Sequence, residues 1–510
     1  MLILNLITCA LLAANVSARG VLRQLGFLHR YGEISKRIDS YAHKHGLSPS
    51  VRSDLWIEQK LDHFSPSSME VYRQRYAMSK EYYVRSNGDL VFLMLEGESP
   101  MSEGWLQYSF MSEQAKKLKA ATFVLEHRFY GKSMPKGDLG VENLKYLSSE
   151  QALADAAHFI TQMNIDHGFK NPKWVVFGGS YAGSLAAWMR YKYPHLVHAA
   201  VSSSGPLFAE VDFPEYYQTV SKSLSTVSTK CVDAIRDAYR IMGDGIKNST
   251  KREHYRQLFN LCEPLKDEKN DIYTFFEGIM TSFAYVVQYH QPSRASENGL
   301  KSIDMKGACD IMLDDKTNKC PVHRHAAWVK EIFGNTCWEH RYSKVVEELK
   351  ITKPNEHMIM RQWLYQTCTE FGWYQTSSKK GETFGDQLRI DYYVDLCRDV
   401  YDKRFDASFL ESSVQETNLN YGGISLDVSR VIFVHGTIDP WSSIGITKKP
   451  PKGSVSIFVK GVAHCADMFI ENASDIPQLK NAKAKISRIL GRWTSGKKME
   501  SEAESVFHFQ

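Results

Sequence analysis

The sequence predicts an α/β protein: a mostly parallel sheet with helices on both faces, interrupted by a helical, disulfide-stapled insertion. Three observations predict it. Six short runs are uniformly apolar and end in turn residues: Leu90–Leu95, Ala121–Leu125, Trp174–Phe177, Ala199–Val201, Val431–Val434 and Val455–Val459. Runs this short and this apolar suit strands buried on both faces rather than amphipathic helices. Helical patterns lie between several of them, which argues for parallel strands joined by crossovers. From Pro206 to about Ile424 the strand signals thin out, and seven of the eight cysteines after Cys9 fall between 231 and 397.

In chain order, Leu2 to Ala14 is apolar and Val16-Ser17-Ala18 places small residues before Arg19, so 1–18 reads as a signal peptide. The competing reading is a short anchor, but the run falls below the roughly 20 residues a membrane span needs. Residues 19–50 are basic and read as an N-terminal arm or pro-segment. Residues 51–205 and 425–496 carry the strand runs and the helical patterns Met111–Lys119, Glu150–Asn164 and Ala182–Tyr193. Between them, 206–424 forms the insertion, with helical stretches such as Cys231–Ile241 and Ala326–Phe333. Ile476–Trp493 reads as an amphipathic helix packed on the sheet, and 497–510 as a polar tail.

With 43% apolar and 24% charged residues over 510 positions, the chain can bury a large core. A net charge of +5 without a dense Lys/Arg run gives no support to a nucleic-acid or membrane-surface partner. No cysteine pair has the close spacing of a zinc site, so no metal is expected. Disulfides formed in an oxidising compartment are the better reading, though their pairing is not fixed by spacing. Asn248-Ser-Thr and Asn472-Ala-Ser are glycosylation sequons.

The candidate chemistry starts at "WVVFGGSYAGSLAAWMRYKYP", where a strand runs through Gly-Gly-Ser into a helix. A serine at so sharp a turn is strained, and it needs small neighbours two residues before and after it. Here these are Gly178 and Ala182, the second a departure from glycine. Ser180 needs a histidine to take its proton and a carboxylate to orient that histidine, in the order Ser, Asp/Glu, His. "HGTIDPW" places Asp439 beyond one strand run, and "KGVAHCADM" places His464 beyond the next. His508 lies in the tail, Asp427 precedes its strand, and Asp467 shares a turn with His464. The backbone N–H of Tyr181 and one from Gly97 or Glu98 would form an oxyanion hole.

Taken together, "WVVFGGSYAGSLAAWMRYKYPHLV", "ATFVLEHRFYGKSMP", "LKYLSSEQALAD", "LDHF" with "QRY", "GTIDPWS" and "GVAHCADM" resemble a family of serine exopeptidases. It includes lysosomal Pro-Xaa carboxypeptidase, dipeptidyl peptidase II and thymus-specific serine peptidase, and "CTEFGWYQT" is most like the thymus-specific branch. The resemblance runs from about Leu55 to Trp493. It implies an α/β-hydrolase fold with a helical cap, the triad Ser180, Asp439 and His464, and disulfides Cys231–Cys309, Cys262–Cys337 and Cys368–Cys397. Cys320 and Cys465 are left over, the latter as a buried thiol. Trp441 matches a position lining the proline pocket; Ser184 stands where the Pro-Xaa carboxypeptidase has a bulky apolar lining residue. Glu98 and Glu126 could meet a substrate amine, with Glu126 favoured as structural. The expectations are peptide substrates, no cofactor, a secreted or lysosomal address, and compatibility with a homodimer. The alternatives are an esterase or lipase on the same fold, or a catalytically silent secreted binding protein.

Overall fold

The computed structural model describes residues 33–86, 88–290, 304–356, 358–379, 381–495 and 506–509. The expected signal peptide lies outside these residues. Six strands precede the insertion: β1 (Val51–Lys60), β2 (Val71–Ser79), β3 (Leu90–Leu95), β4 (Ala121–Leu125), β5 (Lys173–Gly179) and β6 (Val197–Ser203). The insertion holds the short β7 (Glu210–Asp212) and β8 (Gly372–Tyr374), paired only with each other. Beyond it come β9 (Val431–Gly436), β10 (Val455–Val459) and β11 (Val506–Phe509).

The large sheet has nine strands in the order β1–β2–β4–β3–β5–β6–β9–β10–β11. β1 and β2 are antiparallel additions at one edge, and every pairing from β4 to β11 is parallel. All six apolar runs are central parallel strands. In β3, Val91, Leu93 and Leu95 enter one core while Leu90, Phe92 and Met94 enter the other. Alternate side chains point to opposite faces, so a strand covered on both sides is apolar at every position. Two things departed from the sequence reading. The segment read as a polar tail supplies β11 beside β10, and β1 and β2 extend the sheet at its far edge.

One face of the sheet carries α1 (Glu33–His45), α2 (Phe110–Leu118) and the closing α6 (Pro477–Ser495), through Ile38, Phe110, Met111, Ile486 and Leu490. The other carries α3 (Ser149–His167), α4 (Tyr181–Lys192) and the insertion. α3 shows why such helices start and stop where they do. Ser148 Oγ accepts the Gln151 N–H at its N-terminus, and Gly168 ends it at φ +59°, a conformation costly to any residue with a Cβ. Within the insertion, α5 (Lys269–Gln288) is buried over most of its circumference. Its surroundings are cross-linked by Cys231–Cys309, Cys262–Cys337 and Cys368–Cys397, the three pairings the resemblance implied. Among the described residues no helix is long and apolar enough to cross a membrane, and no group of side chains has the makings of a metal site.

Candidate active site

Ser180 sits between the end of β5 and the start of α4 with φ +59° and ψ −133°. A non-glycine residue there costs on the order of 1–3 kcal/mol and persists only where its surroundings dictate it. They do so here. Ser180 N–H donates to the Ser203 carbonyl at the end of β6 (3.0 Å), and its own carbonyl accepts from Gly183 N–H (2.8 Å). A Cβ on Gly178 would lie 2.0 Å from the Ala182 carbonyl oxygen, so the residue two before the serine has to be glycine. Ala182 packs against Gly97, where a Cβ would stand 3.2 Å from the Ala182 backbone nitrogen and 3.4 Å from its methyl. The Ser180 side chain makes no capping bond to α4 and is half-exposed.

His464 and Asp439 meet at the ends of β10 and β9. His464 Nδ1 donates to Asp439 Oδ1 at 2.8 Å, and the same oxygen accepts the Trp441 N–H at 3.0 Å. Burial alone would raise the Asp439 carboxyl, but the His464 ring beside it holds it below the usual carboxylate range. Burial would likewise lower His464, and the Asp439 carboxylate raises it well above its ordinary value. His464 Nε2 is buried and has no hydrogen-bond partner among the described residues, so the Ser180 hydroxyl does not reach it here. A recess lined by Ser180, Gly97, Glu98, Tyr289 and Met468 lies alongside, and the Tyr289 ring is 6.3 Å from that of His464. The rival carboxylate Asp467 is engaged elsewhere: it accepts the Ser203 hydroxyl at 2.6 Å, and burial pushes it up to about 6.

The other predicted positions separate. The Tyr181 N–H is at the first position of α4 and so has no intrahelical acceptor. Gly97 and Glu98 follow β3 at the recess. Burial pushes the Glu98 carboxyl up to about 7, with the His464 charge opposing. Glu126 is structural, accepting from Met101 N–H, Lys132 N–H and the Ser133 hydroxyl. Trp441 is buried behind His464, with its ring 6.4 Å away. Ser184 is fully buried and donates to the Pro206 carbonyl, so the structure keeps it off the recess wall. Cys465 is a buried thiol that burial raises, unsuited to act as a thiolate. Asn248 is exposed and Asn472 half-buried.

Several residues that hold the site were not visible in the sequence, because they come from the insertion or from distant loops. Gln288, the last residue of α5, accepts His464 N–H on its backbone carbonyl (3.0 Å), and Trp441 Nε1–H on its side-chain oxygen (3.1 Å). Gln366 donates to the Tyr181 hydroxyl (3.0 Å) and accepts from that of Tyr130 (2.7 Å). His127 Nε2 makes a second contact to the Tyr181 hydroxyl, at 3.0 Å. α1 closes one side of the recess with Ile34 and Ser35, and the Ser35 hydroxyl donates to Glu96 at 2.9 Å.

A parallel sheet with a strained serine after a central strand, and an Asp–His pair beyond two later ones, is the layout of an α/β-hydrolase fold with a cap. The chain belongs to the family described as serine carboxypeptidase S28, whose profile matches residues 59–486, and it is a serine-type peptidase. It is similar to a Caenorhabditis elegans relative at 36% identity, covering 85% of this chain and 87% of the relative. The human thymus-specific serine protease is 32% identical, covering 94% of this chain and 95% of that protein. The mouse lysosomal Pro-X carboxypeptidase is 27% identical, covering 83% and 85%.

Proposed function

We propose that the chain is a secretory-pathway serine exopeptidase that cuts peptides near one terminus, with preference for proline, through an acyl-enzyme on Ser180. The observation that carries this reading is the buried 2.8 Å contact of His464 with Asp439, set at the same sheet edge as the strained Ser180. Asp439 fixes the ring so that Nε2 is the free acceptor, and its charge makes the ring a stronger base. The Ser180 hydroxyl turns to Nε2 when substrate enters, gives up its proton and attacks the peptide carbonyl. Catalytic hydrogen bonds commonly tighten only in the complex. The oxyanion rests on the Tyr181 N–H and on that of Gly97 or Glu98. His464 then protonates the leaving amine, and water repeats the sequence on the ester.

The proline preference is supported by the relative named lysosomal Pro-X carboxypeptidase and by the aromatic packing of Trp441 beside His464. The three disulfides support an oxidising compartment. The test uses two blocked peptides, one with a free N-terminus and an Xaa-Pro-reporter, one with a free C-terminal Pro-Xaa. Both are run with wild type and Ser180→Ala. Cleavage lost in the mutant upholds the reading. Fluorophosphonate labelling of Ser180 without cleavage of either peptide removes the proline preference, and no labelling of folded protein removes the serine mechanism.

A further inference from the structure

The three carboxyls around the end of β3 are not alike. Glu96 accepts the Ser102 N–H at 3.0 Å and the Ser35 hydroxyl at 2.9 Å. Glu126 accepts two backbone N–H groups and the Ser133 hydroxyl, and stands 3.6 Å from the Arg75 guanidinium. Both have their donors within the fold. Glu98 does not. It is 7% exposed, and among the described residues only its own backbone N–H donates to its carboxyl.

A buried carboxyl with no donor beyond its own backbone N–H is costly, and a native structure that keeps one invites a ligand that supplies further partners. The position of Glu98 says where that ligand lies. Glu98 lines the same recess as Ser180, and Gly97 beside it abuts the backbone of Ala182 on the helix that follows the serine. Among the described residues the recess wall includes Glu96 and Glu98 but no lysine or arginine. An ionised Glu98 there repels the terminal carboxylate of a peptide and attracts a cation, and a bound cation in turn favours the ionised form of the carboxyl. Peptide termini offer one cation, the α-ammonium, with three N–H donors.

We infer that Glu98 selects the end of the substrate: its carboxylate receives the α-ammonium of a peptide whose scissile carbonyl lies at Ser180, so that the enzyme releases short pieces from N-termini. This rests on the serine-peptidase reading above and deepens it by naming the terminus. Glu98 is a binding residue in this scheme. Its effect falls on substrate affinity, and proton transfer stays with His464.

The full-length secreted protein is assayed with one Xaa-Pro-reporter peptide in two forms, α-amine free and Nα-acetylated. A third peptide is N-blocked with a free C-terminal Pro-Xaa. Wild type is expected to prefer the free amine over the acetylated form by about 10- to 100-fold in kcat/KM, the range a charged hydrogen bond supplies. In Glu98→Gln that ratio is expected to fall toward one through a rise in KM for the free amine, with partial recovery in Glu98→Asp. Equal use of free and acetylated peptides by wild type overturns the inference without needing any variant. Preference for the N-blocked, C-free peptide overturns it too, as does a Glu98→Gln loss shared equally by both forms. Fluorophosphonate labelling of Ser180 runs in parallel. If labelling persists while the amine preference is missing, only the Glu98 assignment falls; if wild type is not labelled, the Ser180 reading falls and takes this inference with it.

Discussion

The backbone carbonyl of Gln288 accepts the N–H of His464 at 3.0 Å, so the last residue of an insertion helix holds the histidine loop of the sheet. The Gln288 side chain extends the hold, accepting from Trp441 Nε1 at 3.1 Å and from the Tyr216 hydroxyl at 2.6 Å. The insertion therefore does more than roof the recess. It ties the loop that carries Asp439 and Trp441 to the loop that carries His464.

Gln288→Leu is expected to reduce kcat more than it raises KM, because it releases the Trp441 side chain packed beside His464 while the backbone carbonyl still holds the His464 N–H. It also strands two buried donors, at roughly 1–3 kcal/mol each. Thermal denaturation and steady-state kinetics read the two effects separately, and an unchanged kcat would show that the Gln288 side chain does not position the Trp441–His464 pair.

Asp439→Asn is expected to lower kcat by roughly 10³–10⁴-fold with the fold intact. Asp439 Oδ1 serves both His464 Nδ1–H and Trp441 N–H. The amide keeps one oxygen but loses the charge that makes His464 basic. A variant of near wild-type rate would remove Asp439 from the proposed triad.

At the serine turn, Gly178→Ala is expected to abolish fluorophosphonate labelling, because the new methyl falls 2.0 Å from the Ala182 carbonyl oxygen. Ala182→Gly only removes atoms at the same turn and is expected to retain labelling. Comparable labelling of the two variants would contradict the steric account.

Stability is expected to peak near pH 6. Burial raises Glu96 to about 8, and Glu98 and Glu370 to about 7. A carboxyl raised in the fold keeps a proton that the unfolded chain has shed. Its favourable contribution is complete below the unfolded value and is lost as pH rises through 7 to 8. Burial lowers His127 and His435 to about 4 and His325 to about 3. These groups stabilise the fold above their unfolded value of 6.5 and lose that contribution as pH falls through 6.5 toward 4. Melting temperatures from pH 4.5 to 8.5 check the balance, and a steady rise to pH 8.5 would contradict it. Glu96→Gln is expected to flatten part of the alkaline decline.

The central strands were legible because burial on both faces leaves an uninterrupted apolar run. β1 was not, since VRSDLWIEQK at the sheet edge exposes several of its residues and interleaves charges among them. β11 has only four residues and pairs on one side. Ser180, Asp439 and His464 could be located because each follows a readable strand. Gln288 and Gln366 could not, since their partners Trp441 and Tyr181 lie 153 and 185 residues away in sequence. Ser184 shows the opposite limit. Its place in the chain is near Ser180, but the turn of α4 directs its hydroxyl to Pro206 and away from the recess.

Because Ile34 and Ser35 of α1 form part of the recess wall, the amino terminus of a purified sample is a property of its active site. A preparation beginning after Ser35 lacks both residues and leaves Glu96 without its hydroxyl donor. Two batches that begin on opposite sides of Ile34 and Ser35 then differ in their recess wall. Intact-mass determination belongs beside every kinetic constant measured on them.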